Sequence, residues 1–586
     1  LINPYIEFKL LPGLKFRSNF AYTKQFTDFK EFTARIPEIG KPNMSNSLTV
    51  NTNRLTDILA EQTLTYEKDF GKHHFDALAG YMYQKTTERY HNVVGENFDD
   101  EAKNYRYLVN AGRIQPITDG KFEKAMVSYL LRANYNYDNR YMLTLIGRRD
   151  GTSLVAKDNR FQNYGSISGA WAIHREAFLS DSEVINTLKL RGSYGVLGNL
   201  ATLPSTAVSP LLRRVDAWFG KTPALTPGYI EESMGNPILT WAQSQQTNVG
   251  LDLGFLDNRL TVNADYFVKK TDKMLLEIVL PGTTGVKNKF VNGGHVTDKG
   301  IELALGYNSK PGSEFQYNIT ASVNKIVNKI NYLSEEYPRQ ESQVDYRGIL
   351  KPLLTEPGHP QYSYYGLETA GLFRSNQEAE QYKNSAGSKI QPNAQAGDMK
   401  FVDQNGDGVI DDKDRVFLGS AYPDFNYGVT FNGSYKNFDI NIFFQGVQGN
   451  KLFNTLKYTG LNAASGQPYN MFEEIKNAYS ESNPNSNIPR VSVKDPNGNF
   501  SNVSDFYVEN GSYLRLKNLI IGYTLPRTWT QKYHVEKLRF FASATNLLTV
   551  TKYTGMDPEV GMNDYGVDAG RYPQSRTFML GAALTF

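Results

Sequence analysis

The segment that decides the fold is RTFMLGAALTF at Arg576–Phe586. Successive side chains of an extended strand point to opposite faces, so every second residue shares a face. One face of this segment is entirely apolar and consists of Phe578, Leu580, Ala582, Leu584 and Phe586. A two-residue period with a continuous apolar face is typical of a strand in a membrane barrel. The segment therefore predicts a membrane strand that ends on an aromatic residue.

Composition excludes several classes of protein. The 586 residues contain no run of about 18 apolar residues, the length that a helix needs to cross a bilayer. The 38 Tyr and 33 Phe suit aromatic girdles at two membrane interfaces, although soluble β proteins are also rich in tyrosine. A net charge of +3 indicates no nucleic-acid or polyanion partner. The absence of cysteine excludes disulfides, thiol catalysis and Cys-ligated zinc.

Two hairpins show the alternating pattern most clearly. TNVGLDLGFLDNRLTVNADYF (247–267) alternates apolar and polar residues on both sides of a turn at Asp257 and Asn258. The segment from Tyr427 to Phe444 does the same around Lys436 and Asn437. A soluble sandwich would share this alternation, so the period alone leaves the two folds open.

The same reading predicts about seventeen strands along the chain. They are expected near 4–11, 13–24, 61–69, 74–86, 126–137, 141–149, 164–173, 187–196, 244–255, 259–270, 296–308, 314–327, 424–436, 438–450, 511–524, 535–548 and 575–586. Short connections alternate with long ones, of which 328–423 is the longest. Short turns on one side and long loops on the other favour an outer-membrane barrel over a sandwich. Since bacterial barrels have an even number of strands, we expect at least one strand before Leu1.

Six segments resemble one known family. They are YLLRANYNYDNRYMLTLIGRRDGTS (129–153), LKLRGSYGVLGN (188–199), NPILTWAQSQQTNVGLDLGFLDNRLTVNADYFVKKTDKML (236–275), FVDQNGDGVIDDKDRVFLGSAYPDFNYGV (401–429), FDINIFFQGVQGN (438–450) and YLRLKNLIIGYTLP (513–526). In this order they resemble the SusC/RagA-like TonB-dependent transporters of Bacteroidetes outer membranes. The resemblance extends over most of the chain, so residues 1–586 are interpreted as the C-terminal barrel portion of such a transporter.

The resemblance implies a 22-stranded all-β transmembrane barrel that surrounds an N-terminal plug. It also implies a TonB box that couples import to the proton gradient, and a SusD-like surface lipoprotein that closes over the mouth. We expect the plug, the TonB box and about five strands to precede Leu1, because none of them is present in 1–586. The terminal Phe586 resembles the signal that the barrel-insertion machinery reads.

The sharpest chemical motif is DQNGDGVIDDKD (403–414) in the connection 328–423. Its spacing is that of a twelve-residue calcium loop, in which oxygen ligands at positions 1, 3, 5, 7, 9 and 12 surround one cation. The predicted ligands are Asp403, Asn405, Asp407, the carbonyl of Val409, Asp411 and Asp414, with Gly408 at the sharp turn. We expect a structural Ca²⁺ that stiffens an extracellular loop, and an inward-facing Ile410 as its anchor. The alternative is a turn that Asp, Asn and Gly form unaided.

Other candidate sites are weaker. Trp218 and Phe219, in the long connection 197–243, could stack on a sugar or peptide ligand, although packing within the loop or against a partner protein is the alternative. His73 and His74 lie at a predicted tight turn and are expected to be solvated rather than metal ligands. The sequence has no phosphate-binding loop and no nucleophile elbow, so no enzyme is predicted.

Three functions follow, in order of preference. The first is a TonB-dependent importer of a large nutrient, an oligosaccharide or a peptide, that works with a SusD-like lipoprotein. The second is an outer-membrane barrel that does not transport and acts as a receptor or scaffold in the cell envelope. The third is a soluble, calcium-stabilised β protein that binds glycans. For the first two, the long loops are expected to be extracellular and the C-terminus periplasmic.

Overall fold

The fold was analysed in a computed structural model of the chain. It describes residues 1–37, 43–200, 203, 207–219, 224–341, 350–465, 470–561 and 564–586. The chain is nearly all β, and most of its strands belong to one large sheet whose pairings are almost all antiparallel. None of the helices in the described residues has the length and apolar character needed to cross a membrane.

The first half of the chain contains the longest strands. They are β1 (Tyr5–Leu11), β2 (Leu14–Thr33), β3 (Ser47–Phe70), β4 (His73–Phe98), β5 (Ala111–Ile114), β6 (Thr118–Tyr137), β7 (Tyr141–Thr152), β8 (Phe161–Ala172), β9 (Ile185–Asn199), β10 (Leu211–Phe219), β11 (Ala224–Met234), β12 (Ala242–Phe255), β13 (Leu260–Val279), β14 (Asn288–Asn308) and β15 (Phe315–Leu333). All fifteen belong to the large sheet.

The second half interrupts the large sheet with short strands and helices in its long connections. The strands are β16 (Gln340–Glu341), β17 (Leu353–Thr355), β18 (Ser363–Leu367), β19 (Thr369–Leu372), β20 (Met399–Phe401), β21 (Arg415–Gly419), β22 (Phe425–Tyr435), β23 (Phe438–Gln448), β24 (Lys451–Asn454), β25 (Val508–Asn510), β26 (Tyr513–Thr524), β27 (Lys537–Thr551), β28 (Val567–Asp568) and β29 (Thr577–Thr585). The helices are α1 (Asn376–Gln381), α2 (Leu456–Leu461) and α3 (Arg527–Thr530). Of these strands, β22, β23, β26, β27 and β29 belong to the large sheet.

The chain divides into two compact units, each described by itself. Unit 1 comprises Leu1–Ala172, Arg191–Asn248 and Lys269–Val296, and unit 2 comprises Ile173–Leu190, Val249–Val268 and Thr297–Phe586. In unit 1, β2, β3, β4, β6, β7 and β8 pair in that order, all antiparallel. In unit 2, β15, β22, β23, β26, β27 and β29 do the same.

In unit 1 the strands are apolar on one face close to the short turns. Phe70 pairs with His73, and the rows that follow on the same face place Tyr66 beside Ala77 and Leu64 beside Ala79. The opposite face carries Asp69, Glu67 and Glu61. The predicted alternation is confirmed in this part of β3 and β4, where it separates an apolar face from a polar one.

Aromatic rings form a row at the strand ends of unit 1 beside the short connections. The ring centroids are 5.2 Å apart for Phe70 and His73, 4.8 Å for His73 and Tyr137, and 6.4 Å for both Tyr137 with Tyr141 and Tyr141 with Trp171. This row crosses β3, β4, β6, β7 and β8. Amphipathic rings in such a row are typical of a girdle at one membrane interface.

Unit 2 has an equivalent row beside its own short turns. Phe315 faces Tyr435 across β15 and β22, and Tyr435 faces Phe438 across the next turn. The ring of Phe438 lies 4.7 Å from that of Tyr523 on β26. The predicted apolar face of the last strand is present as well, since Leu580 pairs with Ala542 and is 86% exposed.

All seventeen predicted strands are present, and the large sheet contains three more, β5, β10 and β11. Several predicted boundaries were wrong. The strand predicted at 61–69 extends over Ser47–Phe70, and the strand predicted at 74–86 extends over His73–Phe98. The connection predicted at 197–243 contains the hairpin β10–β11, whose nine residue pairs run from Leu211 with Ser233 to Phe219 with Ala224.

Candidate functional site

Three long connections of unit 2 fold together. We call the described residues of 350–423, 449–512 and 552–576 the loop assembly. Its strand β24 pairs antiparallel with β25 and parallel with β28, which joins segments that are far apart in sequence. Its hydrophobic core consists of Leu350, Leu353, Tyr364, Ala421, Phe453, Tyr458, Leu461, Phe500, Val503, Tyr507 and Val567. The connections therefore have a packed core of their own rather than forming separate solvated loops.

Tyr364 lies at the centre of this core and is fully buried. Its hydroxyl is within hydrogen-bond distance of three backbone carbonyl oxygens, at 3.2 Å from Lys451, 3.3 Å from Tyr565 and 3.0 Å from Gly566. Burial raises the pKa of Tyr364 far above its usual range, so the hydroxyl stays protonated as a donor. One side chain thereby joins all three connections of the loop assembly.

A charged cluster attaches the last connection to the large sheet. The guanidinium of Arg515, 3% exposed, lies on β26 and is 2.6 Å from carboxylate oxygens of both Asp557 and Glu559. Lys517 lies 2.8 Å from Glu559. Burial opposes the charge of Asp557, but hydrogen bonds from Arg515 and from the backbone N–H groups of Glu559 and Gln574 hold its pKa below the usual value. These four charged residues were not among the predicted sites, because nothing local in the sequence connects them.

The predicted calcium loop forms a compact turn whose carboxylates bind backbone amides. Asp403 accepts hydrogen bonds from the N–H groups of Gly406 and Gly408, each at 2.8 Å. Asp414 is fully buried and accepts from Gln404 at 2.9 Å and from Asp411 at 2.8 Å. Each carboxylate oxygen that accepts one N–H keeps a second lone pair, so these bonds leave coordinating capacity.

A lysine lies beside two carboxylates of this turn. The Lys413 ammonium lies 3.8 Å from carboxylate oxygens of Asp407 and Asp411, two of the predicted ligands. Asn405 donates to Asp407 at 3.1 Å, and Val409 is exposed. Over the described part of the chain, no group of three or more His, Asp or Glu side chains is gathered as metal ligands. Ile410 packs, as expected, against a buried cluster formed by Leu367, Leu372, Met399 and Phe401.

The predicted aromatic ligand contacts lie in unit 1. Trp218 is on β10, pairs with Leu225 of β11 and is 67% exposed. The backbone of Phe219 pairs with Ala224, while its side chain lies outside the described residues. The two histidines beside the short turn have polar partners: His73 Nδ1 is 2.7 Å from the hydroxyl of Tyr135, and His74 Nδ1 is 2.6 Å from Asp69.

The polar face of unit 2 carries a chain of asparagines that sequence reasoning did not single out. The side-chain amide of Asn518 donates to Asn441 at 2.8 Å, and the amide of Asn441 donates to Asn432 at 2.6 Å. Asn432 donates to Asn318 at 3.4 Å, and Asn318 donates to Asn308 at 2.8 Å. This asparagine ladder crosses five strands in one direction, so each bond polarises the next. The face opposite the aromatic row is therefore a hydrogen-bonding wall.

Long antiparallel strands with an aromatic-bordered apolar face and a hydrogen-bonding polar face define a membrane β-barrel. The family model described as "TonB dependent receptor-like, beta-barrel" matches residues 5–547, and the chain belongs to that family. The family consists of outer-membrane receptors and transporters rather than enzymes. The predicted fold class and the predicted family are both confirmed.

Several relatives support this assignment. The chain is 31% identical over 595 residues to TonB-dependent receptor P3 of Formosa agariphila, a match that covers 100% of this chain and 58% of the relative. It is 29% identical over 539 residues to TonB-dependent receptor SusC of Bacteroides thetaiotaomicron, covering 89% of this chain and 49% of the relative. The chain thus spans about half the length of these curated relatives.

The fold is shared with a solved structure of the RagAB peptide transporter. The TM-score is 0.82 at 23% sequence identity, and the match covers 100% of this chain and 61% of the other. A structure described as the "open-open" state of the RagAB peptide importer gives a TM-score of 0.83 at 22% identity. These matches concern the barrel fold alone.

Proposed function

We propose that this chain is the barrel of a TonB-dependent importer for a nutrient too large for porins. The observation that carries the proposal is the polar wall of the sheet, where side-chain amides and carboxylates bind one another through directed hydrogen bonds. Peptides and oligosaccharides offer the same donors and acceptors and could exchange bonds with such a wall. A protein that shares this fold, the RagAB transporter, is described as a peptide transporter, which agrees with this class of substrate.

The partners follow from the same proposal. TonB would supply the energy from the periplasmic side, and a SusD-like lipoprotein would close the extracellular mouth. The long connections would then be extracellular and the C-terminus periplasmic. Trp218 and Phe219 would contact the ligand from the hairpin β10–β11, and the exposed ring of Trp218 could stack on sugar or peptide groups.

We also propose that the loop at 403–414 binds Ca²⁺. Hydrogen bonds to Asp403 and Asp414 already hold the turn in place, and the cation would replace the Lys413 ammonium between Asp407 and Asp411. Replacing Lys413 by Gln should then increase calcium affinity, because one competing positive charge is lost. Calcium titration of the full-length protein, followed by its melting temperature, tests this. If calcium leaves the melting temperature of both the wild type and Lys413→Gln unchanged, the proposal is refuted.

Growth and uptake test the transport function. A strain without the gene should lose uptake of one class of oligosaccharide or peptide, and the gene carrying Trp218→Ala should restore it only in part. A control variant, Tyr533→Ala, removes an exposed aromatic residue of unit 2 that lies beside a short connection. Uptake that stays intact for every nutrient in the deletion strain would refute import.

The alternative, an envelope scaffold that does not transport, makes a different prediction. Deletion would then increase sensitivity to detergents and vancomycin while leaving uptake of labelled oligosaccharides and peptides unchanged. The two functions are therefore separated by measuring both properties in the same strains.

A further inference from the structure

Beyond Tyr83 the apolar face of unit 1 carries a patch of cations. Moving away from the short turns along this face, Tyr81 pairs with Tyr129, and Tyr83 pairs with Ala60 in the next row. The next three rows contain the cations of the patch. We call this set the basic rows, and its members are Lys85, Lys24, Arg54, Arg89 and Lys121.

The register of these strands places like charges side by side. Arg54 of β3 is directly opposite Arg89 of β4, and Arg89 is directly opposite Lys121 of β6. Like charges in directly opposite positions destabilise a sheet, so a bound anion would stabilise this row. The next row on the same face carries Asp28 and Asp119. The only carboxylate within the basic rows is Glu123, which is 3.0 Å from Lys121 and 3.3 Å from Lys85. Among the described residues, no ion pair engages Arg54 or Arg89.

The depth of the basic rows relative to the aromatic girdle suggests which anion compensates them. His73, in the girdle beside the short turns, and Tyr83 are ten residues apart on β4, which is about 33 Å along a strand. At a tilt of about 40° this becomes about 25 Å of height, the thickness of the apolar band of a membrane barrel. The basic rows begin two residues beyond Tyr83, where lipid headgroups lie.

We propose that the basic rows form a binding site for the phosphate groups of anionic membrane lipids. The long side chains of Arg54 and Arg89 can extend their stems along the apolar face and turn their guanidinium groups toward the phosphates. The site lies on the lipid-facing side of the barrel, and it is independent of the nutrient that the protein imports. It does rest on the membrane position of the family to which the chain belongs.

Binding can be measured with the full-length protein in detergent micelles. Native mass spectrometry would count retained lipid A, with its dephosphorylated form as the neutral probe. The double variant Arg54→Gln/Arg89→Gln should bind lipid A about 25-fold more weakly, at about fivefold per charge. The control Lys9→Gln/Lys15→Gln also removes two positive charges. These two lysines pair with each other on the opposite face of unit 1, so the control should bind lipid A like the wild type.

The melting temperature gives a second readout, because the substitutions should have opposite effects without and with anionic lipid. Without anionic lipid, Arg54→Gln/Arg89→Gln should melt at or above the wild-type temperature, because repulsion within the row is relieved. With lipid A added, the wild type should gain more stability than the double variant. Equal lipid binding by both proteins, or equal retention of the dephosphorylated form, would overturn the proposal. Displacement of lipid A by millimolar inorganic phosphate would instead indicate a site for free phosphate and would equally overturn it.

Discussion

The charged cluster at Arg515 should control whether the last long connection stays attached to the sheet. Replacing Arg515 by Met keeps the side-chain volume but leaves Asp557 and Glu559 without their shared guanidinium. Removing one partner of a buried ion pair costs about 3–5 kcal/mol. Glu559 keeps Lys517 and Asp557 keeps two backbone N–H groups, so the lower end applies. A cost of about 3 kcal/mol makes local opening roughly 100-fold more frequent.

Hydrogen–deuterium exchange of the full-length protein in detergent measures this opening. Amides of residues 553–574 should exchange roughly 100-fold faster in Arg515→Met, while those of β26 and β27 should change little. The matched control is Arg527→Met, which removes an exposed arginine at the start of α3. If the two variants exchange alike over 553–574, Arg515 does not attach this connection and the reasoning is wrong.

Three further outcomes are expected. Tyr364→Phe removes the hydroxyl that joins the three connections and should destabilise the loop assembly by about 1–3 kcal/mol, measured by exchange at its core amides. Asn441→Leu breaks two bonds of the asparagine ladder and should lower the urea midpoint of the barrel, while a substitution at exposed Ser434 should not. Burial raises the pKa of Asp505, although hydrogen bonds from Thr369 oppose this rise. The favourable contribution of Asp505 to stability is therefore complete below the usual Asp pKa and is lost as the pH rises through the raised pKa. Asp505→Asn should stabilise the protein at pH 7, with a gain that disappears near pH 4, as melting curves at both pH values would show.

Hydrophobic periodicity predicted the strands only where they cross the apolar band. In β3 the prediction began at residue 61, but the strand begins at Ser47. The face of β3 that is apolar near Leu64 carries Arg54 and Thr52 farther along, so both faces are polar there and the two-residue period disappears. The hairpin β10–β11 was missed for the same reason. Polar residues such as Arg214 and Asp216 share one face of β10, but the residues between them are not buried, so no apolar face marks the strand.

The loop assembly could not be predicted, because its contacts join residues that are far apart in the chain. Tyr364, Phe453 and Tyr507 each look like an isolated aromatic residue in a long connection. In the core, however, the ring centroids are 5.8 Å apart for Tyr364 and Phe453 and 5.2 Å apart for Phe453 and Tyr507. The turn at 403–414 was recognisable because its whole pattern is local. Its hydrogen-bonded shape follows from the spacing of Asp403, Gly408 and Asp414. The position of the Lys413 ammonium beside Asp407 does not follow from that spacing.

The length of β4 has a consequence for the exposed part of the barrel wall. Beyond Tyr83 the strand continues to Phe98, about 50 Å farther along its axis, and stays paired with β3 as far as Glu96. Proteases need a segment that can leave its hydrogen bonds and enter their clefts, and a paired strand rarely does. This part of the sheet therefore resists proteolysis, and in the orientation proposed above it would hold the extracellular connections away from the lipid as a rigid spacer.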